Sequence, residues 1–98
     1  MQDIWNFFYS QMNNIIATKG EINVHIHDGE GENGIASTAI GFFMQPVKIL
    51  DGDEGIHIIG AKGECDYLDI YEITNIEFDP LIEAFCIFTK ELMVYISF

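Results

Sequence analysis

Two histidines, His25 and His27, stand two residues apart in a segment where apolar and polar residues alternate. Side chains two positions apart on a β-strand lie on the same face, about 6.6 Å from each other, so both imidazoles point to one side. Such a pair can bind zinc when a neighbouring strand adds a third ligand, here His57 or a carboxylate. The simpler interpretation is a pair of half-exposed polar side chains on the wet face of a strand. We predict no bound metal and keep His25, His27 and His57 as the candidate ligands.

The glycine-rich segment 28–34 matches two binding motifs only in part. Its alternating acids resemble the start of an EF-hand calcium loop, but Ala39 stands at the twelfth position, where that loop uses a bidentate glutamate. Its glycines also spell G-x-G-x-x-G, the dinucleotide-binding fingerprint. That fingerprint requires a helix after it, whereas residues 35–44 carry a strand pattern. We therefore predict a solvated loop that binds neither calcium nor a nucleotide, and no other cofactor.

Neither cysteine has the surroundings of a catalytic nucleophile. Cys65 lies between Glu64 and Asp66, whose negative charges disfavour the thiolate, and Cys86 lies among apolar residues. A chain of 98 residues also has little room for a deep pocket beside its core, so we predict that the protein is not an enzyme. The first residues lack a secretory signal, and no apolar stretch is long enough to span a membrane. We therefore expect a cytoplasmic protein with reduced thiols.

The charge of the chain is its most unusual property, because 16 Asp and Glu residues face only four lysines, for a net charge of -12 at pH 7. A nucleic-acid binder needs cations to displace counterions, and an anionic membrane attracts basic segments, so both partners are disfavoured. Residues 51–79 hold nine of the carboxylates and a single lysine. The candidate partner-binding residues of this segment are Asp51, Asp53, Glu54, Asp66, Asp69 and Glu72.

Carboxylates two apart on a strand repeat at about 6.6 Å, close to the spacing of two phosphate steps along one nucleic-acid strand, about 6.8 Å. Rows of carboxylates on a rigid sheet could imitate a nucleic-acid backbone and occupy the basic groove of a nuclease or a DNA-binding protein. In size, charge and lack of enzymatic motifs, the chain resembles phage-encoded inhibitors of bacterial defence, such as anti-CRISPR proteins. That resemblance implies a non-enzymatic inhibitor that acts by occlusion. Acidity that serves only solubility is the alternative.

The elements that position these residues begin with a helix over residues 3–18, where apolar side chains recur at helical spacing and Gly20 is a natural left-handed end. After Gly20 the period of the pattern changes to two. The pattern predicts strands over 21–27, 35–44, 47–50, 56–61 and 64–73, with a bulge or bend at Gly41, a break at Pro46, and a turn with a stub of strand over 73–78.

Residues 81–98 fit either a helix or a hairpin, and their many β-forming side chains favour a hairpin centred on Lys90-Glu91. One helix followed by five to seven mostly antiparallel strands predicts a single α+β domain over residues 1–98. The strands are expected to form a small curled sheet or a barrel. This order of elements resembles the Sm-like and SH3-like barrels.

One tryptophan, four tyrosines and eight phenylalanines are many for one small core, so some are expected to stay exposed. Exposed apolar strand edges pair with one another, and we predict a homodimer joined through an edge strand or the helix face. Two other functions stay open. One is a structural or oligomerisation module of a phage or bacterial assembly, and the other is a small metal-binding protein that uses His25 and His27.

Overall fold

The computed structural model describes residues 2–28, 39–52 and 54–98. Asp53 and most of the glycine-rich segment, with the motifs that it carries, lie outside the described residues. The described chain forms one helix and eight strands. They are α1 (Gln2–Thr18), β1 (Ile22–Asp28), β2 (Ala39–Met44), β3 (Pro46–Gly52), β4 (Gly55–Gly60), β5 (Tyr67–Tyr71), β6 (Ile73–Asp79), β7 (Ala84–Thr89) and β8 (Leu92–Ser97).

Helix α1 forms where the apolar spacing predicts it, and the two central side chains of its stripe, Phe8 and Met12, are fully buried. The end of the helix differs from the prediction. Lys19, and not Gly20, takes the left-handed conformation, with φ of 58°. The amide of Gly20 then donates a hydrogen bond of 2.9 Å to the carbonyl of Ile15, which closes the last turn.

The larger sheet has five antiparallel strands in the order β2-β1-β8-β7-β6. Its last two strands in the chain, β7 and β8, are the predicted C-terminal hairpin around Lys90-Glu91. The predicted bulge at Gly41 is wrong, because Gly41 pairs with His25 in unbroken register. The ring of His25 lies over this glycine. A Cβ at position 41 would lie 2.9 Å from Cε1 of His25.

The smaller sheet has three antiparallel strands in the order β3-β4-β5. The chain changes sheets at Gln45 and Pro46, where the register of β3 also shifts, so the predicted break in the ladder is confirmed. It returns to the larger sheet at Glu72, whose φ is 54°. Residues 73–79 then form the full strand β6 instead of the predicted turn and stub, because β7 supplies a partner along their whole length.

The core lies between the inner faces of the two sheets and helix α1, and Phe8 and Phe85 are its largest fully buried side chains. The two sheets are open, with β2 and β6 at the edges of one and β3 and β5 at the edges of the other. The α+β class with a curled sheet is confirmed, but the described residues form eight strands, which do not close into a barrel. Helix α1 falls short of the length and apolarity that a membrane span requires.

Candidate acidic binding surface

Three connections lie side by side at one end of the three-stranded sheet. They are the turn between β3 and β4, the junction of β5 and β6, and the turn between β7 and β8. The amide of Glu72 donates to the carbonyl of Glu54 at 3.4 Å, and the amide of Lys90 donates to the carbonyl of Glu72 at 3.2 Å. These hydrogen bonds hold the three connections in a row.

Four carboxylate side chains stand along this row, with one lysine among them. Asp51 is the next-to-last residue of β3, Glu54 and Glu72 belong to the first two connections, and Glu91 follows Lys90 in the third. All four acidic residues are exposed. We refer to Asp51, Glu54, Glu72 and Glu91 as the acidic edge.

A cleft of about 810 Å³ opens between the acidic edge and helix α1. Three of its lining residues are acids of the edge, Asp51, Glu54 and Glu72, and two more are the aromatic residues Trp5 and Tyr9 of the helix. The rings of Trp5 and Tyr9 are stacked, with centroids 5.9 Å apart and planes at 27°. No lysine or histidine is among the residues that line this space in the described chain. We refer to it as the aromatic–acidic cleft.

Tyr9 links the helix to the acidic edge. Burial of its hydroxyl, followed by the negative charge of Asp51 and a hydrogen bond to that carboxylate, raises the pKa of Tyr9 to about 12. The phenol is therefore neutral at pH 7. Its hydroxyl lies near Asp51 and leaves the negative charge of that carboxylate in place.

A second, smaller cleft of about 270 Å³ lies on the other side of Glu72. It is lined by two further acids, Asp69 and Glu91, together with Lys90. A lysine is thus among the residues that line this cleft. The two clefts share Glu72 but differ in that respect.

Asp69 and Asp66, two other predicted contact residues, are engaged within the fold. Asp69 accepts from Nδ1 of His57 at 2.7 Å and from the hydroxyl of Tyr71 at 3.2 Å. The carboxylate of Asp66 accepts the amide of Lys62 at 2.9 Å and so holds the turn between β4 and β5. It also lies against Gly60, where any Cβ would collide with it.

The structure therefore divides the six predicted partner-binding residues. Asp51, Glu54 and Glu72 come together at the aromatic–acidic cleft. Asp69 lies at the flank of the acidic edge, in the smaller cleft. Asp66 is at the far end of the three-stranded sheet, where it serves the turn. Asp53 lies outside the described residues.

The three histidines do not form one cluster. His25 and His27 lie on the outer face of the larger sheet with ring centroids 6.4 Å apart, beside Tyr95 in an open cleft of about 540 Å³. His57 is in the other sheet, paired with Asp69. Across the part of the chain that the structure describes, no three side chains of histidine, cysteine, aspartate or glutamate are placed to share a metal ion. The structure therefore does not bring His57 to the pair.

Both cysteines are free, Cys65 exposed and Cys86 buried. Burial, the main cause, raises the pKa of the Cys86 thiol despite its hydrogen bond with Tyr95. This thiol stays protonated at neutral pH, which is the opposite of what an activated nucleophile needs.

The sequence analysis overlooked Trp5 and Tyr9 as site residues. Both lie on the flank of the apolar stripe of α1, where aromatic residues are ordinarily read as core. Their spacing of four residues was the available signal, since it puts two rings on one helical face. Nothing in the sequence, however, indicates that this face meets Asp51.

Comparison with protein-family models, with curated proteins and with solved structures finds no match to this chain.

Proposed function

We propose that the protein is a non-enzymatic binding protein whose acidic edge docks on a basic, nucleic-acid-binding surface of a protein partner. The observation that carries the proposal is the row of three hydrogen-bonded connections, which gathers four exposed carboxylates around a single lysine. A nuclease or a DNA-binding protein has the complementary surface. The protein would inhibit such a partner by occlusion, as a mimic of the nucleic-acid backbone.

Electrostatics favours this assignment. Carboxylates without nearby cations repel one another, and a positively charged partner removes that repulsion when it binds. Surfaces of opposite sign also attract at long range, which speeds association and makes it sensitive to salt. An inhibitor of bacterial defence, encoded by a phage and acting in the cytoplasm, is the biological setting that fits these properties.

The test compares two sets of charge reversals. The first set, Asp51→Lys, Glu54→Lys and Glu72→Lys, reverses the acids of the cleft. The control set, Glu64→Lys, Glu77→Lys and Glu83→Lys, reverses three exposed glutamates elsewhere. Both sets change the net charge of -12 by the same amount. They are also matched in backbone geometry, because Glu72 and Glu83 both have a positive φ, of 54° and 52°.

Wild-type protein is used to capture a partner from the host lysate, and the purified partner is then titrated with each variant. The cleft set is expected to weaken binding by about 3 kcal/mol or more, since it replaces three attractive contacts by repulsive ones. The control set should weaken it by less than about 1 kcal/mol, and double-stranded DNA should compete with the wild-type protein for the partner. Equal losses from the two sets, or binding that DNA does not disturb, would overturn the proposal.

A second candidate, an oligomerisation module, is favoured by the exposed apolar side chains of both sheets. Ile40 and Phe43 are exposed on the edge strand β2, and Leu50, Tyr67 and Tyr71 are exposed in the three-stranded sheet. These residues fit a homodimer joined through β2 or through the outer face of the smaller sheet. Self-association of this kind should persist at high salt, whereas docking of the acidic edge should not. Sedimentation as an 11.1 kDa particle at tens of micromolar would exclude the dimer.

A further inference from the structure

We propose that the aromatic–acidic cleft holds an arginine side chain of the protein partner. This inference rests on the proposed function, because it names the group that the acidic edge would receive. It goes beyond a general attraction between charged surfaces, since it assigns one space in the molecule to one kind of side chain.

The lining of the cleft is negatively charged. Asp51, Glu54 and Glu72 line the cleft, and the described chain places no lysine or histidine in its lining. The hydroxyl of Tyr9 is a neutral donor, so it leaves the negative charge of Asp51 uncompensated. Among the described residues the lining itself therefore supplies no positive charge, and a cation of a partner would balance its three carboxylates.

The aromatic wall of the cleft is independent of the acids. Trp5 stacks on Tyr9, and Trp5 also meets the buried ring of Phe8 edge to face with centroids 5.9 Å apart. These contacts hold the two rings of the wall in place. Aromatic rings attract cations at their faces, and among the aromatic side chains tryptophan does so best.

The cleft favours arginine over lysine. A guanidinium group is planar, so it can extend a stack of rings and at the same time form two parallel hydrogen bonds to a carboxylate. A lysine ammonium is a compact and strongly hydrated charge, which gains less from an aromatic wall. A cleft with rings on one side and carboxylates on the other therefore matches the guanidinium group better.

Trp5 makes the cleft directly observable, because it is the single tryptophan of the chain. The probe is the capped peptide acetyl-Gly-Arg-Gly-amide, titrated at low salt while the fluorescence of Trp5 is recorded. The matched peptide contains citrulline, which keeps the shape of arginine and lacks its charge. A third peptide contains lysine. The arginine peptide is expected to change the fluorescence of Trp5 to a saturating value. The lysine peptide is expected to bind at least about threefold more weakly than the arginine peptide, and the citrulline peptide is expected not to bind.

Two variants separate the cleft from the general charge of the edge. Glu72→Gln removes a carboxylate that lines the cleft, and Glu91→Gln makes the same chemical change on the acidic edge outside its lining. Glu72→Gln should weaken the arginine peptide by about fivefold, and Glu91→Gln by less than about twofold. Glu54→Gln serves as a second variant of the lining. Circular dichroism on the variants shows whether each one is folded, so that a loss of binding is not mistaken for a loss of folding.

Equal responses to the arginine and citrulline peptides, equal losses from Glu72→Gln and Glu91→Gln, or no saturable response to the arginine peptide would each overturn the inference. The titration contains no protein partner. A negative peptide titration would therefore not change the result of the charge-reversal test. A negative charge-reversal test would likewise not change the result of the peptide titration.

Discussion

The three-stranded sheet has an acidic connection at each end, and the two differ in what their carboxylates contact. At the β4–β5 end, Asp66 accepts the amide of Lys62, while its own amide and carbonyl are bonded to Gly63 and Gly60. At the β3–β4 end, Asp51 lies near the hydroxyl of Tyr9, and the main-chain carbonyl of Glu54 accepts the amide of Glu72. The carboxylate at the β4–β5 end stabilises a turn, whereas the carboxylates at the β3–β4 end remain available to a partner.

This difference shows why charge counted along a sequence does not identify a binding surface. A carboxylate that accepts a main-chain amide replaces a lost hydrogen bond to water, and removing it leaves that amide without its partner. An exposed carboxylate without such a contact adds little stability, and among many others it adds repulsion. Carboxylates of the second kind are the ones that a partner can bind at little cost to the fold.

The largest effect expected on stability comes from Asp66→Ala. Because the amide of Lys62 loses its acceptor, the free energy of unfolding should fall by about 1 kcal/mol. Glu72→Gln, at the other end of the sheet, should change it by less than about 0.5 kcal/mol. Urea denaturation of both variants gives these values. A Glu72 variant as unstable as the Asp66 variant would mean that the carboxylates of the acidic edge also stabilise the fold.

A smaller effect concerns Tyr9, which connects the helix to the acidic edge. Its pKa of about 12 lies above the ordinary value of 10.0, so its neutral form is favoured in the folded state. The raised pKa of Tyr9 contributes to the free energy of unfolding. That contribution is complete below pH 10 and is lost as the pH rises from 10 to 12. Asp51→Asn should lower the pKa of Tyr9 and leave it above 10.0, because burial is the larger cause.

The measurement is an alkaline titration of ¹³C-labelled tyrosine by NMR, in which Tyr9→Phe identifies the Tyr9 signal. The same titration of the Glu91→Gln variant is the control, since Glu91 is not among the groups that raise this pKa. A Tyr9 pKa that Asp51→Asn leaves unchanged would show that the carboxylate does not bind the phenol.

Much of the fold follows from local patterns in the sequence. Helix α1, the change from helical to alternating period, and the C-terminal hairpin all depend on residues close in the chain. The features that were wrong depend on distant neighbours. Gly41 lies in an unbroken strand that pairs with β1, and β6 is a full strand because β7 pairs with it.

The candidate site could be predicted only in outline. The dense acids of residues 51–79 identify the region from the sequence alone. Which of them remain available could not be predicted, because the hydrogen bond that engages Asp69 comes from His57 on a neighbouring strand. Trp5 could not be assigned either, since it is 67 positions away from Glu72 in the sequence, yet both line the same cleft.

The most direct test of the acidic edge is NMR mapping of the ¹⁵N-labelled protein as it is titrated with its unlabelled, captured partner. The account predicts that the largest changes fall on the amides of residues 51, 54 and 72 and on the indole N–H of Trp5. It also predicts that 0.5 M salt abolishes them. Changes centred instead on His25, His27 and Tyr95, on the outer face of the five-stranded sheet, would contradict it.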